Sequence, residues 1–185
     1  MALILVKHAH SQVNPATPPR TWSLSAEGRR RCAPLAEKLK PYAPAALVSS
    51  DEPKARQTAE LVGAALGLAP SIVPNLHEHV RDGEPFASSQ DAFEEQVRQL
   101  MAEPDRCVYG AESAEAARAR FAAALGALPA TRPLAVVAHG TVIALFAAAH
   151  NGLDPFALWQ GLGLPSFVVL DEPGFELRAV EGAIA

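Results

Sequence analysis

The chain has 185 residues, 49% hydrophobic and 19% charged, with 16 basic and 20 acidic side chains and a formal net charge of −4. That suffices for one domain with a real core, so a single domain over residues 1–185 is expected and a disordered chain is excluded. The acidic balance argues against a nucleic-acid groove or an anionic membrane surface as partner. The two cysteines, Cys32 and Cys107, lie far apart and outside any CxxC pattern. Neither a disulfide framework nor a zinc knuckle is indicated, and a cytoplasmic location is expected.

Along the chain, Ala2 to Val6 is an unbroken apolar run, which predicts a central parallel strand buried on both faces. A Pro-rich loop covers Asn14 to Trp22. Ser25 reads as the cap of a helix ending near Lys40, where Pro41 stops it. Ala45 to Val48 is a second strand. A helix from Pro53 to about Leu66 follows, closed by Gly67. Ser71 to Val73 is a third strand, and Asn75 to Ser89 a long polar loop. Helices are expected over Asp91 to Ala102 and, capped by Ser113, over Ala114 to Leu128. Leu134 to Ala138 is another buried strand, followed by an apolar helix to His150. Ser166 to Leu170 and Phe175 to Val180 flank Glu172-Pro173-Gly174 and predict a hairpin. Strands alternating with helices predict an α/β fold.

In such sheets ligands bind beyond the carboxyl ends of the strands. His8 and His139 both follow predicted strands directly, and Lys7, Lys54 and Arg56 lie at or just beyond strand ends. Two imidazoles and several cations at one sheet edge describe a phosphate site with a nucleophile.

Five segments then carry a resemblance. Lys7-His8-Ala9-His10-Ser11-Gln12-Val13-Asn14 resembles the Arg-His-Gly-x-Thr/Ser-x-x-Asn signature of the histidine phosphatase superfamily, which includes the phosphoglycerate mutases. Leu24-Ser25-Ala26-Glu27-Gly28, the stretch Ser49 to Ala59, Leu76-His77-Glu78 and Val137-Ala138-His139-Gly140 resemble further motifs of that family, in the same order. The resemblance implies a phosphoglycerate mutase-like three-layer α/β/α sandwich with a mostly parallel central sheet. It implies His8 as nucleophile, Glu78 as acid with Glu84 as a nearby rival, and His139 as second catalytic histidine. Phosphate would be bound by Lys7, Lys54, His139 and Asn14, and Arg20 and Arg81 are candidate substrate contacts. The chain departs from the pattern where the family carries two Arg: Lys7 and Lys54 keep the charge but lose the planar fork. Ala9 replaces a Gly. Arg56, two positions from Lys54 on a helix, should point elsewhere.

The expected activity is hydrolysis of a small phosphomonoester through a phosphohistidine, without metal or other cofactor. A hydrolase is favoured over a mutase because the loop from Asn14 to Leu24 is short and lacks the Gly-Trp segment of the mutases. Two readings from other classes compete. His8-Ala9-His10 and His77-Glu78-His79, with His139, could form a metal site. The two Lys replacements could instead mark a catalytically weak phosphate-ester-binding protein. The expected partner is a small phosphorylated substrate, and a homodimer is left open.

Overall fold

A computed structural model describes all residues from Met1 to Ala185. Six strands form one sheet: β1 (Ala2–Lys7), β2 (Ala46–Ser49), β3 (Ser71–Ile72), β4 (Leu134–Ala138), β5 (Ser166–Asp171) and β6 (Glu176–Glu181). Their spatial order is β3-β2-β4-β1-β5-β6. The ladders β3–β2, β2–β4 and β4–β1 are parallel, whereas β5 runs antiparallel to both β1 and β6. The first strand is therefore central, as its continuous apolar run predicts, but it is parallel to one neighbour only. The reason is the terminal hairpin, which docks its β5 strand on the free edge of β1.

Period-two alternation along the strands feeds two cores. Ile4, Val6, Val137 and Phe167 point to one face, which is covered by α1 (Ala26–Leu39) and α2 (Pro53–Leu66). Leu3, Leu5, Val136 and Val168 point to the other. That face is covered chiefly by α4 (Ala114–Gly126), α5 (Gly140–Asn151) and α6 (Pro155–Gly161), with α3 (Gln90–Ala102) packed beside them. The result is the three-layer α/β/α sandwich. No helix is long and apolar enough to cross a membrane.

The caps are local and legible. Ser25 accepts from Gly28 N at 3.0 Å, Ser113 from Ala116 N at 3.1 Å, and Gly67 closes α2 with φ of 71°. Helix α6 lies in a stretch for which the sequence predicts no element; Asp154 caps it and Pro155 opens it. Gly28 has a tertiary reason: a Cβ there would stand 2.1 Å from the His10 carbonyl oxygen. Helix α1 can thus press against the loop that follows the first strand.

Candidate active site

The register of the sheet builds the site. Lys7 pairs with Ala138, so β1 and β4 end side by side, and His8 N continues the ladder to Ala138 O at 3.1 Å. His8 and His139 consequently emerge together, ring centroids 5.2 Å apart and nearly edge to face. Strand β2 ends beside β4 in the same way: Ser50 N bonds Val137 O at 2.9 Å, and the Ser50 hydroxyl meets His139 Nε2 at 2.9 Å.

His8 Nδ1 lies 2.7 Å from the carbonyl oxygen of Ala9. A carbonyl only accepts, so Nδ1 carries the proton and the Nε2 lone pair is free. Burial, then the neighbouring His139 and Lys54, hold the His8 pKa well below the ordinary imidazole value. His8 is thus a neutral nitrogen base in a cleft rich in cations. His139 is fully buried beneath it and is also held neutral, by burial first and then by Lys54. Its Nδ1 has no hydrogen-bond partner.

Lys7 reaches across the end of the sheet. Its Nζ donates to Leu162 O at 2.6 Å and sits 5.9 Å from the centre of the Trp159 ring. Burial brings its pKa down to about 8, against the opposing pull of Glu78. The motif's second glycine has its reason here: a Cβ on Gly140 would lie 2.9 Å from Lys7 Cε.

Lys54 donates to Glu52 Oε2 at 2.5 Å and to Pro19 O at 2.8 Å, and the ion pair is almost wholly buried. Glu52, which the sequence did not single out, also accepts from Glu78 N at 2.9 Å and lies 3.6 Å from His139 Nε2. The adjacent motif residues stitch this corner together. Thr58 accepts from Ala9 N at 3.1 Å and donates to Lys54 O, while Gln57 accepts from Leu24 N at 2.8 Å. Arg56 is exposed and does not line the cleft.

Glu78 lines the same cleft, beside the Glu52 corner to which its N–H is bonded. Its oxygens accept from His79 N at 2.9 Å and Thr141 N at 3.1 Å, with Arg81 Nη2 at 3.8 Å. Burial pushes the carboxyl up, but Arg81 and the two backbone donors outweigh it and its pKa falls to about 2. Its rival Glu84 lies farther out, accepting from Gly110 N at 2.9 Å.

The remaining expected residues fall in two groups. Arg20 and Arg81 line the cleft; Arg20 pairs with Asp82 at 3.1 Å, and Arg81 stacks on Phe93 at 4.8 Å. Asn14 does not join them. Its side chain accepts from Ala16 N within its own turn, at 3.0 Å, and it lines neither part of the cleft. Its family position follows the nucleophile, but here an Asx turn uses up the amide oxygen.

The His-x-His pairs do not converge. His10 Nδ1 turns to the Ser25 hydroxyl at 2.9 Å and His79 Nε2 to Glu112 O at 2.7 Å. No group of three or more His, Cys, Asp or Glu side chains is arranged to hold a metal ion.

The chain as a whole has counterparts among known proteins. The family described as histidine phosphatase superfamily (branch 1) matches residues 3–176. The chain belongs to that superfamily. No curated protein matches its sequence. Among solved structures it is similar to one titled mycobacterial hydrolase 1, at 27% identity and a TM-score of 0.76, covering 100% of this chain and 99% of that one. Mycobacterial hydrolase 2 follows at 25% identity and a TM-score of 0.75, covering 100% and 91%. A mycobacterial glucosyl-3-phosphoglycerate phosphatase shares 26% identity at a TM-score of 0.73, covering 98% of each chain.

Proposed function

We propose that this histidine phosphatase superfamily member hydrolyses small phosphomonoesters through a phosphohistidine. The observation that carries the reading is the His8 ring, held by the Ala9 carbonyl with Nε2 free, beside buried His139 at the Lys7 end of the cleft. A similar chain titled a phosphatase, of nearly the same length, supports the same reaction class.

In the first step the Nε2 lone pair of His8 attacks phosphorus in line, and the bond from phosphorus to the alcohol oxygen breaks. Lys7, Lys54 and the Nδ1–H of His139, the tautomer in which the Ser50 hydroxyl donates to Nε2, take the charge on the equatorial oxygens. Glu78 hands a proton to the departing oxygen. In the second step Glu78 takes a proton from water, the oxygen of that water attacks phosphorus, and the bond from phosphorus to His8 Nε2 breaks.

With its pKa lowered to about 2, Glu78 is ionised in the free enzyme, and its proton arrives with the substrate. A phosphomonoester monoanion supplies it: the incoming negative charge raises the carboxyl, and the phosphate proton transfers to it. Lys7 and Lys54 act as point charges in place of the Arg fork.

The test is acid- and alkali-quenched detection of the phosphoenzyme during turnover. A signal that is acid-labile and alkali-stable is expected in the native chain and absent from His8→Ala. Ordinary turnover by His8→Ala would overturn the mechanism, and binding without turnover across a broad panel of phosphomonoesters would favour the binding-protein reading.

A further inference from the structure

The cleft continues well past the phosphate end. A cavity of about 650 Å³ over His8 and Lys7 opens into a second of about 860 Å³, and the two share Arg20, Trp22, Arg81 and Phe93. A phosphoryl group fills only a corner of that space. The remainder must receive the alcohol portion of the substrate, so its chemistry describes the leaving group.

Two features set that chemistry. The first is charge. Around the inner cavity the cations are Lys7, Arg20, Lys54 and Arg81, and the carboxylates are Asp51, Glu52, Glu78 and Asp82, four of each. Around the outer cavity Arg20 and Arg81 face Asp82 and Glu84, two of each. Three of the four cations are also individually paired: Lys54 with Glu52, Arg81 with Glu78 and Arg20 with Asp82. Only Lys7 has no carboxylate partner, and it lies at the phosphate end. A bound phosphate uses that charge, which leaves no free cation for a second anionic group. A carboxylate on the leaving group would face a cleft whose net charge has already become negative.

The second feature is an apolar wall in the outer part. Trp22 and Phe86 stand with ring centroids 6.0 Å apart. The Trp22 indole N–H is occupied by Asn14 O and Thr17 O, both at 3.1 Å, so the ring is pinned by its polar edge. Phe86 and Val13 remain about half exposed beside it, without any segment of the chain covering them. Their continuity with the phosphate end makes the rest of the substrate the natural occupant.

We propose that the substrates are phosphomonoesters of uncharged alcohols bearing an apolar group long enough to reach Trp22 and Phe86, and that phosphates carrying a carboxylate are discriminated against. This rests on the phosphatase reading above and adds the class of leaving group to it.

The decisive comparison keeps the glycerate skeleton and removes its carboxylate charge at the cost of one added methyl group: 3-phosphoglycerate against its methyl ester, by kcat/KM at one pH. The ester is expected to be preferred by about tenfold or more, the scale on which a single misplaced group in a pocket is sensed. Asp82→Asn, which frees Arg20, should narrow that preference. The wall is tested by the ratio of kcat/KM for 3-phenylpropyl phosphate to that for methyl phosphate, expected to be large and to fall severalfold in Phe86→Ala. Phe86 is exposed, so this variant keeps its fold even where Trp22→Ala loosens the loop. Equal use of the acid and its methyl ester, or a ratio indifferent to Phe86, overturns the proposal while leaving the phosphatase reading intact. Failure to turn over any of the four esters strikes at the phosphatase reading itself.

Discussion

Arg120 and Glu112, neighbours on α4 and just before it, form a half-buried ion pair at 2.7 Å that clamps the loop bearing Glu78. The Arg120 guanidinium also donates to the carbonyls of Asn75, His77 and Glu78 at 3.0–3.2 Å. Glu112 accepts from Val80 N at 3.0 Å, and its own carbonyl meets His79 Nε2. One cation therefore satisfies three carbonyls of an irregular loop whose backbone has no ladder to bond to. The carboxyl of Glu78 is aimed into the cleft by this scaffold rather than by a helix or strand of its own.

Arg120→Ala should accordingly lower kcat by about tenfold to a hundredfold, since a 1 Å misplacement of a catalytic group has effects of that size. KM should change less, because Arg120 itself touches neither Lys7 nor Lys54. Stability should fall by about 1–3 kcal/mol from the orphaned carbonyls. Steady-state kinetics together with chemical denaturation separate the two effects. A variant with unchanged kcat but lowered stability would show the clamp to be purely structural.

The sequence made His8 and His139 legible because each directly follows an apolar strand, and the parallel register does the rest. The caps at Ser25, Ser113 and Gly67 were legible because they act within four residues. Glu52 was not, although it lies inside the Ser49 to Ala59 motif. Whether a residue at a helix entrance faces solvent or a neighbouring lysine depends on how α2 seats against the sheet, which no local pattern reports. Arg120 was hidden for the same reason: it sits some forty residues from the carbonyls it holds, in a helix otherwise rich in Ala. The antiparallel docking of β5 on β1 is a nonlocal pairing, so alternation of strands and helices suggested more parallel neighbours for β1 than it has. Asn14 misled in the opposite direction, since a family position and a turn residue look alike in one sequence.

Both Lys replacements sit in packed surroundings. Lys54 is enclosed, with Nζ between Glu52 and Pro19 O, and Lys7 runs in contact distance of the space above Gly140 to end on Leu162 O. A guanidinium is larger and planar, so setting its fork at either position requires the present partners, Leu162 O on one side and Glu52 with Pro19 O on the other, to give way. Lys7→Arg combined with Lys54→Arg should therefore lower kcat/KM on a simple phosphomonoester, by about tenfold or more, as overpacking displaces the clamp. A gain in the double variant would show instead that the site retains room for the fork. Gly140→Ala is a milder version of the same strain, pressing on Lys7 Cε, and should weaken phosphate inhibition measured with inorganic phosphate.

Chelation addresses the His-rich alternative. His10 and His79 are turned to Ser25 and Glu112, and the charge facing the phosphate end comes from lysines. Activity after exhaustive EDTA dialysis should equal that of the untreated protein. Loss on dialysis with recovery on adding zinc would restore the metal reading, and metal analysis of the purified chain would identify the ion.

The pH dependence of kcat/KM follows from three groups of the free enzyme and one of the substrate. Burial holds His8 neutral well below the ordinary imidazole range, so the nucleophile stays available as the medium turns mildly acidic. Glu78 is ionised above a pKa of about 2 and depends on the substrate monoanion for its proton. That monoanion is depleted as pH rises through the second phosphate pKa, about 6 for an alkyl ester. Lys7, lowered by burial to about 8, then loses its charge as pH rises further. Loss of the monoanion and loss of the Lys7 charge act in the same direction. The profile should be high on the acid side, fall about tenfold per unit above pH 6, and steepen near pH 8. Lys7→Arg, though weaker overall, should lack the break near 8 because a guanidinium does not titrate there. A profile that rises from pH 6 to 8 would mean that Glu78 is not the proton carrier and that the dianion is the reacting form.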